Sequence, residues 1–382
     1  MARNRVIYQS DALYVSKNFT SSTSGAHSQL DRVQSANYSF TINRQDINQF
    51  GELGRIGYVA LEPPTVNLDF TYYLTDGSNE RAMNFHVRNT TNNVEKTFLS
   101  GHMISDFSGQ NFYILTSIEG NDVNNATADA GVGAYIKNAI GIGNAYITNY
   151  SLDASIGNLP TVSVSFEGAN MNAVTGVVAV SGGYSGLQLA SVQPESGTAL
   201  SGTSVLVPTG KTSLGTAGII ALRPGDITLN LAAFDDNGSG VFSKVSGADA
   251  IHVQSAALAI PLSRTPIQRL GSRFAFSRPL DLPASATLSV SAIVNEITAE
   301  NLAAVIDLTV EKDVSLTINT PGSGTPAVIY TLKKCRLDSE SFSSSVGGNK
   351  TVDLVFSTQY ASLNDTGRGV FMSGIGANAI FS

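Results

Sequence analysis

Apolar and polar residues alternate with a period of two along several well-separated segments of the chain. Val66-Asn67-Leu68-Asp69-Phe70-Thr71-Tyr72 is one, and Val162-Ser163-Val164-Ser165-Phe166 and Leu288-Ser289-Val290-Ser291 are others. Val352-Asp353-Leu354-Val355-Phe356 follows the same pattern less strictly. Side chains on a strand point alternately to its two faces, so each segment predicts a half-buried strand. Helical spacing is scarce. Thr298 could cap a short helix over 299–306 and Ser78 another over 79–85, each with a glutamate (Glu300, Glu80) in its first turn to complement the helix dipole.

The predicted strands come in pairs. Val33-Gln34-Ser35-Ala36 returns as Val253-Gln254-Ser255-Ala256, 220 residues later, and the register then holds without a gap. Arg44 falls on Arg264, Ile47 on Ile267, Gly51 on Gly271, Pro63 on Pro283 and Leu68 on Leu288. A second match, at an offset of 190, sets Ser151, Ser155, Gly157, Thr161, Val162 and Phe166 on Ser341, Ser345, Gly347, Thr351, Val352 and Phe356. A shorter likeness sets Asp11–Val15 against Asp226–Asn230. Both matches run in the same order, which predicts duplication of a whole domain rather than a solenoid of short repeats. Three chains with two copies each can mimic a six-fold ring. The offset falls by 30 residues between the matches, and the extra length is expected within 107–145, as an inserted loop.

The expected organisation is a first β domain over 1–172, a connection over 173–216, a second domain over 217–362 and a C-terminal arm over 363–382. The arm either docks on another subunit or packs locally. The fold class expected is mainly β, two duplicated sandwich or barrel domains, each with a short flanking helix.

Composition narrows the function. The 382 residues carry a formal net charge of −7, and charged residues make up only 14%. Neither half is basic, which disfavours a tight grip on nucleic-acid phosphates. The low charge suits a surface largely covered by other protein and also fits an ordinary β-rich domain. Cys335 is the only cysteine, so no intrachain disulfide and no cysteine metal cluster is expected. No apolar run approaches a membrane span, and the first residues lack the pattern of a signal peptide, which predicts a protein made in a reducing cytoplasm.

Candidate chemistry is thin. Asp235-Asp236-Asn237-Gly238-Ser239-Gly240 begins like a calcium loop, but Ser246 stands where a bidentate glutamate is needed, and the alternative is a tight Asn-Gly turn. Gly210-Lys211-Thr212 lacks the earlier glycine of a phosphate cradle, Val205 standing in its place. Gly183-Tyr184-Ser185-Gly186 fails as a nucleophile elbow because Leu187 occupies the second glycine position. The histidines His27, His86, His102 and His252 make no short metal-ligand spacing. No catalytic residue, metal or cofactor is expected.

Three stretches carry a resemblance: 147–168 (Ile147-Thr148-Asn149-Tyr150 through Glu167-Gly168), 264–271 with 279–292, and the opening 6–14. With the duplication between them, the two copies resemble phage tail tube domains. That family's β-sandwich contributes strands to a continuous inner barrel, and its rings stack into a tube. The resemblance implies a virion protein assembled in the host cytoplasm, with two domains per chain giving a trimeric, pseudo-hexameric ring. It implies partners in further copies of the chain, in double-stranded DNA that passes without tight binding, and in sheath, tape measure, terminator and baseplate proteins. No membrane partner is implied.

On this reading Asn67, Asp69, Thr71, Ser163, Ser165, Ser289, Ser291 and Asp353 would line the bore, since 66–72, 161–167 and 286–292 hold no Lys or Arg to trap phosphates. Arg44, Arg55, Arg264, Arg269, Arg273 and Arg278, with Phe371 and Phe381, would join subunits or successive rings, unless the arginines are solvated loop charges. Rival expectations are a terminator or baseplate ring, a β-rich carbohydrate-binding module, which the absence of tryptophan disfavours, and a secreted surface-layer protein.

Overall fold

The structure, a computed structural model, describes residues 11–62, 64–88, 94–103, 109–117, 123, 137–180, 183–193, 196, 198–200, 202–208, 227–230, 252–271, 274–293, 311–320, 326–343, 351–360, 362 and 365–375. The opening 6–10, Gly210–Thr212, the Asp235–Ser246 loop, the helix expected over 299–306, Arg273 and Phe381 lie outside these residues.

The first copy contains β1 (Asp11–Ser16), β2 (His27–Gln29), β3 (Val33–Thr41), β4 (Arg44–Ile47), β5 (Gly57–Ala60) and β6 (Thr65–Tyr73), then α1 (Ser78–Ala82) and β7 (Val87–Arg88). β8 (Gln110–Thr116), β9 (Lys137–Ser155) and β10 (Thr161–Gly168) complete it, and β11 (Asn170–Val180), β12 (Gly183–Gln188) and β13 (Ser204–Val207) run on through the expected connection over 173–216. The second copy contains β14 (Ile227–Asn230), β15 (His252–Pro261), β16 (Ser285–Ile293), β17 (Lys312–Asn319), β18 (Pro326–Ser343), β19 (Thr351–Gln359) and β20 (Gly369–Gly374).

Eight of these strands form one antiparallel sheet in the order β3-β6-β10-β9-β15-β16-β19-β18. Its first four strands belong to the first copy and its last four repeat that order in the second. The irregularities repeat too. A bulge falls between Val33 and Ser35 in one copy and between Val253 and Ser255 in the other. Another falls at Ser165/Phe166 and, 190 residues on, where Val355 and Phe356 face Ser339 and Leu337. Bulges bend a strand and set its register, so shared bulges are a geometric signature of duplication.

A second layer covers each half. Over the first copy it runs β2-β1-β8-β9-β11 and continues through β12 to β13. Over the second it runs β14-β17-β18-β20, with the first copy's β7 added in parallel beside β20. The long strands β9 and β18 serve both layers. The first part of β9 pairs with β8 and its later part with β10, while β18 passes from β17 to β19.

Between the layers lies one continuous apolar core spanning both copies. Phe70 and Phe166 from the long sheet stack at 6.0 Å and 7°, and Phe112 from the cover layer packs on Phe166 at 4.6 Å. Full burial of such a ring contributes about 1.5–3 kcal/mol. A smaller core, including Tyr14, Tyr113, Val177, Tyr184 and Leu187, seats β11–β13 on the first copy.

Three expectations change. The helix over 79–85 is shorter: α1 spans Ser78–Ala82, Gly77 at φ +87° is its N-cap, and the Ser78 N–H donates to the Asp76 carboxylate at 3.1 Å. Asn84, at φ +68°, sits in the left-handed region and leaves the helical path. The extra length in the first copy is divided. Phe112 lies opposite Ile142 and Val314 opposite Leu332, so β8 and β17 are offset by 202. Much of the insertion therefore precedes β8, around α1 and β7, rather than lying only within 107–145. Finally, no barrel closes among the described residues. The long sheet is open, with β3 and β18 as its edges.

Candidate functional site

Along the long sheet, one set of alternate residues is buried and the other faces out. On β6 the buried set is Val66, Leu68, Phe70 and Tyr72; on β10 it is Val162, Val164 and Phe166; on β16 it is Ala286, Leu288, Val290 and Ala292. Every residue singled out as bore-lining belongs to the opposite set, and the register puts them side by side. Asn67 lies opposite Ser39 and Glu167, and Asp69 opposite Asn37 and Ser165. Thr71 lies beside Ser163, which faces Ser151 on its other side. Across the second copy, Ser289 is flanked by Ala257 and Val355, and Ser291 by Asp353, which in turn faces Ser341.

This outward face is polar, and its charge is largely acidic. Asp69 and Asp353 are exposed on it, and so is Asp153, opposite Thr161 and Ala257. Asp153 was missed in the sequence. Its position two residues after Ser151 on a period-two strand is the signal that would have found it. Among the described strand positions of this face the cation is Arg336, at the β18 margin, and it donates to Glu311 at 3.2 Å. At the junction of the two copies the face is concave, with about 620 Å³ open to solvent between Tyr73, Ser151, Asp153, Thr161, Ser163 and Ala259.

Beneath the sheet lies a fully buried polar cluster. Glu80 of α1 accepts hydrogen bonds from Tyr72 Oη at 2.6 Å and Tyr150 Oη at 3.2 Å, and the Tyr150 hydroxyl is 2.7 Å from that of Tyr330. Burial raises the Glu80 carboxyl to about 7, and the phenols, buried beside that carboxyl, stand well above their ordinary range. The cluster links β6, β9 and α1 of the first copy to β18 of the second.

The candidate arginines fall into two groups, Arg264 and Arg278 packed within the chain and Arg44, Arg55 and Arg269 exposed. Arg264 is largely buried: it donates to the Arg278 and His102 carbonyls at 2.8 and 2.9 Å and stacks over Tyr146 at 5.2 Å. Burial lowers its pKa to about 10. Arg278 pairs with Glu167 at 2.6 Å. Both therefore tie the second copy's 264–282 loop to the first copy within one chain. Arg44, the counterpart of Arg264, is exposed and lies over Tyr58 at 5.1 Å, while Arg55 pairs with Asp46 at 2.9 Å on the surface. Arg269 lies over Phe276 at 6.0 Å. Phe371 is buried in β20 under the Lys333 ammonium at 4.5 Å.

Among the described residues no group of three or more His, Cys, Asp or Glu is placed to hold a metal ion, and no helix is long and apolar enough to cross a membrane. Gly183–Gly186 lies in β12, where Tyr184 is buried and its hydroxyl donates to the Val123 carbonyl at 2.6 Å.

No protein-family model matches the sequence, and no curated protein matches it. Parts of the chain resemble chains of solved structures, among them three from gene transfer agent and anti-feeding prophage particles. The tail of an empty gene transfer agent particle with C6 symmetry matches at 14% identity and a TM-score of 0.24, over 36% of this chain and 93% of that one. A chain from the virion of the native gene transfer agent matches at 13% identity and 0.21, over 39% and 95%. A chain from the six-fold symmetrised baseplate of the anti-feeding prophage matches at 12% and 0.22, over 32% and 80%. At TM-scores below 0.5 these likenesses carry no functional argument.

Proposed function

We propose that this chain is a structural virion protein, the subunit of a phage tail tube, which assembles as trimeric pseudo-hexameric rings stacked around a bore that conducts the genome. The observation that carries the reading is the open eight-stranded sheet: two equivalent halves, one shared apolar core and a continuous polar face bearing Asp69, Asp153 and Asp353. A conduit for DNA has to be wetted without binding phosphate. Hydroxyls and amides supply the wetting, and carboxylates keep the polyanion off the wall. On this reading the chain has no catalytic role and needs no cofactor. The exposed β4–β5 hairpin, with Phe50 and Leu53 fully exposed at its tip, suits contact with a successive ring.

The nearest rival is a terminator or baseplate ring, which does not stack on itself. Negative-stain electron microscopy of the purified chain at rising concentration separates the two. Long tubes with a central bore are expected. Single closed rings at every concentration would move the assignment to a terminator or baseplate role, and glycan binding by a monomer would move it to a carbohydrate-binding module.

A further inference from the structure

Where β7 joins the second copy's cover layer, cations gather on the outer surface. β7 runs parallel to β20, with Val87 beside Met372 and Arg88 beside Ser373. Val87 and Met372 are buried, so Arg88 and Ser373 stand on the side turned away from the core. On β18 the same side presents Thr331, opposite Phe371, and Lys333, opposite Gly369. The chain then passes β7 again. The His86 N–H donates to the Phe98 carbonyl at 2.9 Å, and the Phe98 N–H donates to the Val370 carbonyl at 2.8 Å. The His86 Nε2 lies 2.9 Å from the Val94 carbonyl oxygen. These ties hold Glu95 and Lys96 against the patch.

Arg88, Glu95, Lys96, Thr331, Phe371 and Ser373 line a shallow hollow of about 40 Å³. Its charge is not balanced. Lys333 already takes the one carboxylate, with Nζ 2.7 Å from Glu95 Oε1, and also donates to the Thr366 carbonyl at 2.9 Å. Arg88 stands off from Glu95 at 3.8 Å, and its side chain is 42% exposed. Among the described residues Lys96 has no ion-pair partner. Burial lowers the pKa of nearby His86, and the charges of Lys96, Arg81 and Arg88 push the same way, as a positive local field requires.

We propose that this hollow binds a carboxylate from an acidic segment of another protein, with Arg88 and Lys96 pairing the anion and the Thr331 and Ser373 hydroxyls donating to it. A guanidinium fork suits the two oxygens of a carboxylate, and charge-assisted bonds of this kind are the strong ones. The hollow has room for one such group. A grip on nucleic acid needs cations strung along a backbone, one per phosphate, whereas these two converge on one spot. Phe371, buried under the Lys333 ammonium at 4.5 Å, gives the hollow an apolar floor that shields the pair from water.

The lining comes from both copies, Arg88 and Lys96 from the first and Thr331 and Ser373 from the second. Each chain therefore completes the site by itself. It lies across the core from Asp69, Asp153 and Asp353, and it does not rest on ring formation or on the tail tube reading.

Fluorescence anisotropy of a labelled hexaglutamate peptide with the full chain at low ionic strength tests the site. Saturable binding of one peptide per chain is expected, weakening as salt is added. Arg88→Ala with Lys96→Ala should weaken it about tenfold or more, the loss expected when charge-assisted pairs are removed. Arg44→Ala with Arg55→Ala removes the same charge from the exposed β4–β5 hairpin and should leave the affinity unchanged. Thermal unfolding checks that each variant folds. If the alanine pair does not, Arg88→Gln with Lys96→Gln keeps the side-chain stems and carries the same expectation. Arg88→Glu with Lys96→Glu should reverse the preference, from hexaglutamate to hexalysine. Absence of saturable binding, or equal weakening by the hairpin changes, overturns the site. Tighter binding of inorganic phosphate or duplex DNA than of the peptide, lost with Arg88 and Lys96, overturns the acidic protein partner.

Discussion

Replacing Glu80 with Gln should remove a pH-dependent loss of stability and leave the variant ahead of the wild type above about pH 7. The side chain is fully buried in α1, and its acceptor oxygen is held by Tyr72 and Tyr150, with Tyr330 behind them and Asp76 the nearby carboxylate that adds repulsion. Burial raises its pKa from 4.5 to about 7. A carboxyl whose pKa is raised on folding contributes stability that is complete below its unfolded value and is lost as pH rises through the folded one. The window here is therefore about pH 4.5 to 7, and at 1.36 kcal/mol per unit the loss comes to about 3 kcal/mol. Buried His102, lowered to about 3, works in the opposite sense as pH falls, so the comparison must be variant against wild type. Urea denaturation of Glu80→Gln and wild type from pH 4.5 to 8.5 measures the difference directly. The variant should gain on the wild type across that window and then hold a constant lead, because the amide oxygen still accepts both phenols. A difference that does not vary with pH would refute the reasoning.

Other consequences are equally open to measurement. Gly143→Ala should cost about 1–3 kcal/mol by thermal denaturation, since a Cβ there would meet the Ala190 carbonyl carbon and oxygen and the Ser191 nitrogen at 2.4 Å. Phe40→Asp should abolish assembly, read by sedimentation velocity, while changing the monomer's stability by no more than about 0.5 kcal/mol, because the side chain is largely exposed. The triple change Asp69→Lys, Asp153→Lys and Asp353→Lys should convert particles that ignore duplex DNA into particles that retain it, with binding that falls steeply with salt. Unchanged indifference to DNA would remove these carboxylates from the bore.

Much of the long sheet was legible because its strands have one face in the core and one in water. Tyr72 and Leu288 had to be apolar, Asp69 and Ser289 did not, and the period of two records that constraint in both copies. The bent strand β9 was harder to read. It changes layers midway, and Gly141 and Gly143 stand where Asn172 and Ala190 crowd the backbone, so alternation breaks down. Glu80 was readable as a complement to the helix dipole, but nothing local revealed that Tyr72, Tyr150 and Tyr330, far apart in sequence, would enclose it. The arginines show the same limit. Arg44 and Arg264 are equivalent in sequence, yet Arg264 is largely buried against its own first copy while Arg44 is exposed, a difference set by which half of the sheet has a neighbour.

On the proposed reading one chain supplies two equivalent sixths of a ring, and cryo-electron microscopy of the assembled particle, reconstructed without imposed symmetry, shows whether it does. A ring of three 40.0 kDa chains is expected, with true three-fold and approximate six-fold symmetry and its bore walled by the Asp69, Asp153 and Asp353 face. A ring of six chains with exact six-fold symmetry, or a bore walled by the cover layer, would contradict it.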